Sequence, residues 1–208
     1  MFRLDNKTAI ITGAGSGIGK AIATLFAKQG ANVQVLDMDE AGGKATVAAI
    51  ESEGGKATYH HCDVSKQDVV KSIIDAIIAS TGTIDILVNN AGIAHVGNAE
   101  NTSENDFDRL MTVNVKGVYN CLHLAIPHMK DKGGVILDIA SVAASVGIPD
   151  RFAYSTTKGA IAAMTLSVAK DYIKNGIRCN CISPGRVHTP FVDGFIAKNY
   201  PGQEKEMF

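Results

Sequence analysis

Thr12-Gly13-Ala14-Gly15-Ser16-Gly17-Ile18-Gly19 follows an apolar run, residues 7–12 (KTAIIT), and opens a segment of helical periodicity, residues 17–29, that stops at Gly30. The order is strand, glycine-rich turn, helix. A helix N-terminus presents unpaired N–H groups and the positive end of its dipole, which suits a pyrophosphate. Glycines let the chain turn sharply and let phosphates approach the backbone. The string is not a strict GxGxxG. It fits TGxxxGxG through Gly13, Gly17 and Gly19, with Ser16 and Ile18 between them, and its context predicts a dinucleotide site.

Asp37 closes the next apolar run, residues 32–36 (NVQVL), 18 positions after Gly19. An acid there can accept hydrogen bonds from the ribose 2′- and 3′-hydroxyls of an adenosine. It would repel a 2′-phosphate, and neither Ser16 nor Met38 supplies a compensating charge. The expected cofactor is therefore NAD rather than NADP.

Outward from this unit the pattern repeats. Strand-length apolar runs at 56–61, 84–88, 134–139 and 177–182 alternate with helical patterns at about 39–53, 66–80, 104–130 and 152–175. Such alternation forces parallel pairing through right-handed crossovers. The predicted fold class is α/β: a single-domain, Rossmann-like, doubly wound parallel sheet of about six strands, filling residues 1–208. No repeat or low-complexity linker breaks the chain.

The composition narrows the functional classes. Twenty basic residues balance 21 acidic ones, and no basic cluster stands out. A nucleic-acid or polybasic membrane surface is not expected. No apolar run approaches the roughly 18 residues of a membrane span. Residues 1–6 lead into a strand without the charged start and apolar stretch of a signal peptide, so a cytoplasmic location is expected. The four cysteines (62, 121, 179 and 181) form no CxxC and read as small buried hydrophobes rather than a metal site.

Tyr154 and Lys158 stand four apart near the start of a helical segment, so they share a face. A phenol with a reference pKa of about 10 is a poor base at neutral pH. A nearby ammonium favours its phenolate. Such a pair can serve as the acid or base of an alcohol–carbonyl interconversion. Ser141 follows the fifth strand, at the strand end where doubly wound sheets carry ligands, and its hydroxyl could hold the substrate oxygen.

Taken together, these residues resemble the short-chain dehydrogenase/reductase family. The TGxxxGIG turn, Asp63-Val64, Asn89-Asn90-Ala91-Gly92, Asn114, Ser141, Tyr154 with Lys158 and Pro184-Gly185 occur in the family's order, with 13 residues from Ser141 to Tyr154. The resemblance implies Tyr154 as general acid/base and Ser141 as the group that orients the substrate oxygen. It implies that Lys158 lowers the tyrosine pKa and holds the nicotinamide ribose, and that Asn114 supports a water relay to Lys158. Asp63 and Val64 would contact adenine. Asn90, Ala91 and Gly92 would line the cofactor, with Asn89 mainly structural. Pro184, Gly185, Val187 and Thr189 would meet the nicotinamide carboxamide end. Family members run longer than this chain, so the resemblance implies that a seventh strand and final helix follow, and that the substrate-covering segment, 184–208, is truncated.

Substrate identity is expected to reside in residues 93–99, 142–152 and 186–208. His95, Arg151, Arg186 and His188 are the candidates there, and an arginine can hold a carboxylate through two parallel bonds. They favour a small polar substrate, and the stretch after Pro184 resembles that of sugar- and sugar-acid-oxidising members. A homodimer or homotetramer built on the two long helices is implied by the same resemblance. The competing readings are a non-catalytic NAD-binding protein of this fold and a reductase of more hydrophobic ketones.

Overall fold

The computed structural model describes residues 2–202. Six strands, β1 (Thr8–Thr12), β2 (Asn32–Asp37), β3 (Lys56–His61), β4 (Ile86–Asn89), β5 (Gly134–Ile139) and β6 (Ile177–Ile182), form one sheet in the order β3-β2-β1-β4-β5-β6. Every neighbouring pair is parallel. The fold is the doubly wound α/β sheet that the alternation of runs predicts.

Alternation along each strand feeds two apolar layers. Ile10, Leu36, Leu87 and Ile136 face one way. They meet α3 (Gln67–Thr81), α5 (Gly117–Met129) and α6 (Phe152–Asp171) through residues such as Ile74, Ala125 and Ile161. Ala9, Ile11, Val33, Val35 and Val88 face the other way. There Ala23 and Ala27 of α1 (Gly17–Lys28) and Ile50 of α2 (Glu40–Ser52) cover them. Burying each such Ile or Val stabilises the fold by about 1.5–3 kcal/mol.

The helix ends have local causes. Asp39 caps α2 by accepting from Ala41 N, and Ser103 caps α4 (Glu104–Leu110) by accepting from Asp106 N. Gly82 ends α3 in the left-handed conformation, φ 71°.

Three elements depart from the sequence expectation. The long helix over 104–130 is not uniform: a π-helical segment, Met111–Lys116, joins α4 to α5. The helix over 152–175 stops at Asp171, and a 3-10 turn, Ile173–Asn175, leads to Gly176 at φ 71°. Residues 190–199, where no helix was expected, form α7 (Pro190–Asn199). Thr189 caps it by accepting from Val192 N, and Pro190 occupies its first turn, where a missing N–H costs nothing. Of the expected substrate-covering segment, residues 203–208 lie outside the described residues.

Candidate active site

The carboxyl ends of all six strands open into one cavity of about 350 Å³. Its position is the switch point between β1 and β4, where the sheet order reverses.

The glycine turn forms one wall. Gly13 and Gly17 sit at φ 65° and 53°, which an L side chain rarely adopts. At Gly19 a Cβ would collide with the Gly13 carbonyl, so only glycine lets α1 start this close to β1. The Asn90 amide fixes the turn by donating to Thr12 O (2.9 Å) and Gly13 O (3.0 Å). Thr12 Oγ1 accepts from Asn90 N and Ala91 N, both at 3.0 Å. Ser16, at the N-cap of α1, makes no side-chain capping bond, unlike the caps of α2, α4 and α7. Ser16, Gly17 and Ile18 line the cavity, so the first-turn N–H groups of α1 open onto it. That uncapped terminus fits a pyrophosphate.

Asp37 lies at the adjoining end. Its carboxylate accepts from Gly15 N (2.7 Å) and Asp39 N (2.9 Å), which ties β2 to the glycine turn. A carboxylate has about four acceptor sites, so capacity remains for a diol. Asp63 and Val64 line the same end. Asp63 is held by accepting from Ser65 N, and the Asn120 amide pins the Val64 carbonyl at 2.8 Å. Among the described residues, Lys158 is the one Lys or Arg in the cavity's lining, far along the chain from this acidic end.

The other end carries Ser141, Tyr154 and Lys158, the residues expected to react. Ser141 leaves β5 and accepts from Ala143 N at 3.2 Å. Tyr154 and Lys158 come from the start of α6. Lys158, 5% exposed, donates from Nζ to Ile139 O at 2.7 Å, and Nζ lies 5.7 Å from the Tyr154 ring centroid. Burial brings its pKa down to about 8, opposed by the Asp138 carboxylate. Burial likewise holds the Tyr154 phenol above its ordinary value, opposed by a hydrogen bond with Ser141 and by the charge of Arg151. The sequence expectation put the pKa lowering on Lys158. In the structure burial raises the Tyr154 pKa, and the lowering influences come from Ser141 and Arg151.

Asn114 sits inside the π-helical segment, fully buried. Its Oδ1 accepts from Ile93 N (2.8 Å), and its Nδ2 donates to Ile93 O (2.9 Å) and to Thr157 Oγ1 (3.1 Å). It thereby stitches the loop after β4 to the helix that carries Tyr154 and Lys158. A π-helical turn is rare and frequent at functional sites. Beneath the centre, Asn89 Nδ2 donates to the buried Asp138 at 2.8 Å.

Of the residues singled out in the sequence, Gly13, Ser16, Gly17, Ile18, Asp37, Asp63, Val64, Asn90, Ala91, Gly92, Ser141, Tyr154, Lys158, Pro184, Gly185, Val187 and Thr189 all line this cavity. A second cavity of about 200 Å³ shares Ser141, Tyr154 and Gly185 with it and is lined by Arg151 and Arg186. His95 and His188, expected near substrate, line neither. His95 Nδ1 turns towards Asp106, 3.8 Å away, and the exposed His188 pairs with Asp193 at 3.2 Å. Sequence reasoning missed Thr12, which clamps the loop after β4, and Phe191 and Val192, which line both cavities from α7. The signal for the last two was the Thr189-Pro190 start of a helix.

The glycine turn, the acid at the end of β2 and the Ser141–Tyr154–Lys158 group thus share one cleft. The profile of the short chain dehydrogenase family matches residues 7–199. An "uncharacterized oxidoreductase" of Thermotoga maritima is 45% identical over 195 residues, covering 93% of this chain and 76% of the relative. Among solved structures, levodione reductase superposes with a TM-score of 0.94 at 30% identity, covering 99% of this chain and 81% of that one. NAD⁺-bound xylitol dehydrogenase superposes with a TM-score of 0.86 at 34% identity, covering 88% and 72%. The chain belongs to the short-chain dehydrogenase/reductase family, a family of oxidoreductases. No helix among the described residues is long and apolar enough to cross a membrane.

Proposed function

We propose that the protein is an NAD-dependent dehydrogenase or reductase acting on a small secondary alcohol or carbonyl compound, with Tyr154 as general acid/base. One observation carries this reading: Ser141 and Tyr154 lie on the wall common to both cavities. One cavity suits the dinucleotide and the other the substrate, and they meet at the acid/base pair.

Bound NAD would supply the hydride acceptor, and NADH the donor. The uncapped start of α1 would hold the pyrophosphate, Asp37 would accept from the ribose hydroxyls, and Asp63 and Val64 would flank adenine. Lys158 would hold the nicotinamide ribose, and Pro184, Gly185, Val187 and Thr189 the carboxamide end. Ser141 donates to the substrate oxygen. In the oxidative direction Tyr154 takes the alcohol proton, and in the reductive direction it returns one. With a pKa of about 8, Lys158 is charged at neutral pH, and the hydrogen bond with Ser141 and the charge of Arg151 counter the burial that opposes the phenolate. The acidic end at Asp37 and Asp63, with no lysine or arginine lining it, supports NAD over NADP. The NAD⁺-bound xylitol dehydrogenase neighbour supports it too.

The sequence lean towards a sugar, sugar acid or hydroxy acid now rests on Arg151 and Arg186, since His95 and His188 stand outside both cavities. The apolar walls of the second cavity favour the other reading, a more hydrophobic ketone or alcohol. A non-catalytic binding role is disfavoured because Asn114, Ser141, Tyr154 and Lys158 are all present and gathered. A homodimer or homotetramer is proposed with it: Tyr119, Phe152 and Leu166 on α5 and α6 are 45%, 46% and 71% exposed. Sedimentation showing only monomers would remove that part.

Tyr154→Phe tests the chemistry. Turnover is expected to fall by about 10²–10⁴-fold, with NAD binding by calorimetry preserved. Retained turnover would reject the acid/base assignment, and tighter binding of NADP than of NAD would reject the cofactor assignment.

A further inference from the structure

The second cavity makes two demands that a sugar does not meet together. Most of its wall is apolar: Ala94, Val142, Ala143 and Ile148 on one side, Phe195 and Ile196 of α7 on the other. A substrate with several hydroxyls would leave some of them unpaired against this wall, at a cost for each. Its volume of about 200 Å³ compares with the roughly 150 Å³ apolar cavity that takes up a benzene ring. A six-membered ring or short branched chain with one or two substituents therefore fills it.

The second demand is electrostatic. Arg151 and Arg186 both line the cavity, and among the described residues no aspartate or glutamate does. Among the described residues neither arginine has an ion-pair partner. Arg151 is held in place rather than waving in solvent. Its Nη1 donates to Asp150 O (2.8 Å) and its Nη2 to Tyr200 Oη (3.1 Å). Its guanidinium carbon lies 4.8 Å from the Phe195 ring centroid and 5.8 Å from that of Tyr200. Ring stacking and these two bonds fix the group while leaving other N–H donors unused and, among the described residues, the charge without a counter-charge. A rigid guanidinium with spare donors is suited to a carboxylate.

We propose that this cavity takes a compact hydroxy acid or keto acid. Its apolar body lies against Val142, Ile148 and Phe195, its carboxylate meets Arg151 with Arg186 beside it, and its reacting carbon faces Ser141 and Tyr154. The inference rests on the hydride-transfer reading above and narrows its substrate. In the oxidative direction the carbinol C–H bond breaks, with its electron pair leaving as hydride to NAD⁺. The O–H proton passes to the Tyr154 phenolate. The products are the keto acid and NADH, and the carboxylate is unchanged.

The test has a turnover arm and a binding arm. With NAD⁺, kcat/KM for 4-hydroxycyclohexanecarboxylate is expected to exceed that for 4-methylcyclohexanol, a neutral molecule of similar shape, by about ten- to a hundredfold, and to exceed that for gluconate. In the protein–NADH complex, cyclohexanecarboxylate, which cannot react, is expected to bind more tightly than cyclohexanol by calorimetry. Arg151→Gln and, separately, the exposed Arg186→Gln are each expected to lower the acid-to-neutral ratio in both arms. Arg151→Lys is expected to retain part of the preference, because it keeps the charge but loses the fork. Equal binding of acid and neutral ring, or ratios unmoved in the arginine variants, would overturn the carboxylate assignment, and faster turnover of gluconate would overturn the assignment of a compact apolar body. Arginine-dependent binding of cyclohexanecarboxylate without turnover of any alcohol would instead overturn the hydride-transfer reading.

Discussion

Asp138 is an acid buried beneath the candidate centre, near enough to Lys158 for each to shift the other's pKa. It is fully buried on β5 and accepts from Asn89 Nδ2 (2.8 Å), Thr165 Oγ1 (2.8 Å) and Cys179 Sγ (3.7 Å). An amide N–H can only donate, so the Asn89 bond favours the ionised carboxylate. Burial pushes the Asp138 pKa up, and these bonds and the Lys158 charge resist that push. Its effect on Lys158 has the opposite sign to burial: the carboxylate raises the lysine pKa that burial lowers. The next residue along β5, Ile139, takes the ammonium on its carbonyl. Asp138→Asn keeps the shape and an acceptor but removes the charge. The lysine would then lose its proton at lower pH. The alkaline limb of the kcat/KM profile is expected to move towards neutrality by about one pH unit. A profile that does not move would mean that Asp138 serves packing alone.

Elements with a strong period were legible in the sequence, and elements defined by local geometry were not. Most strands were readable because each carries an apolar run bounded by glycine or polar residues, as in Gly134–Ile139 and Ile177–Ile182; the polar β3, KATYHH, was readable from the Gly54-Gly55 break before it. The glycine turn was readable because its letters report backbone constraints, and Gly13, Gly17 and Gly19 each meet one in the structure. The π-helical segment left no such trace. Its six residues, MTVNVK, keep ordinary helical spacing, and one extra residue per turn is a matter of hydrogen bonding rather than composition. Asn114 could be picked out only by resemblance, although its three bonds to Ile93 and Thr157 give it a physical role of its own. Helix α7 was missed for another reason. Its apolar residues, Phe191, Val192, Phe195 and Ile196, face cavities rather than a continuous core, so the pattern read as a covering loop. His95 and His188 line neither cavity, because proximity in sequence to a cleft residue does not fix the direction of a side chain.

At the scale of the molecule, the apolar layer beneath α3, α5 and α6 makes alkaline pH the exposed flank of this fold. Cys62, Cys121 and Cys179 all lie in that layer, each 5% exposed or less. Burial pushes the Cys62 thiol up to about 12 and the other two further still. In the unfolded chain a thiol titrates near pH 8.5. Below that value both states hold the proton, and the cysteines leave stability unaffected by pH. Above it the unfolded chain releases three protons that the folded chain retains, so folding weakens as pH rises. Lys158 acts in the other direction. Its folded pKa of about 8 lies below the ordinary lysine value, so between about pH 8 and 10.5 it adds stability as pH rises. Each group contributes about 1.4 kcal/mol per pH unit while its two states differ. Three opposing thiols outweigh one lysine, and a net loss of roughly 2–3 kcal/mol per pH unit is expected near pH 10. Against a total stability on the order of 5–15 kcal/mol, that is enough to unfold the protein within a few pH units. Urea midpoints measured from pH 7 to 11 under reducing conditions are expected to hold level to about 8.5 and then fall. Cys62→Ala should make the fall shallower by about one group's share. A midpoint that stays level to pH 10.5 would mean that the thiols are not held protonated by the core.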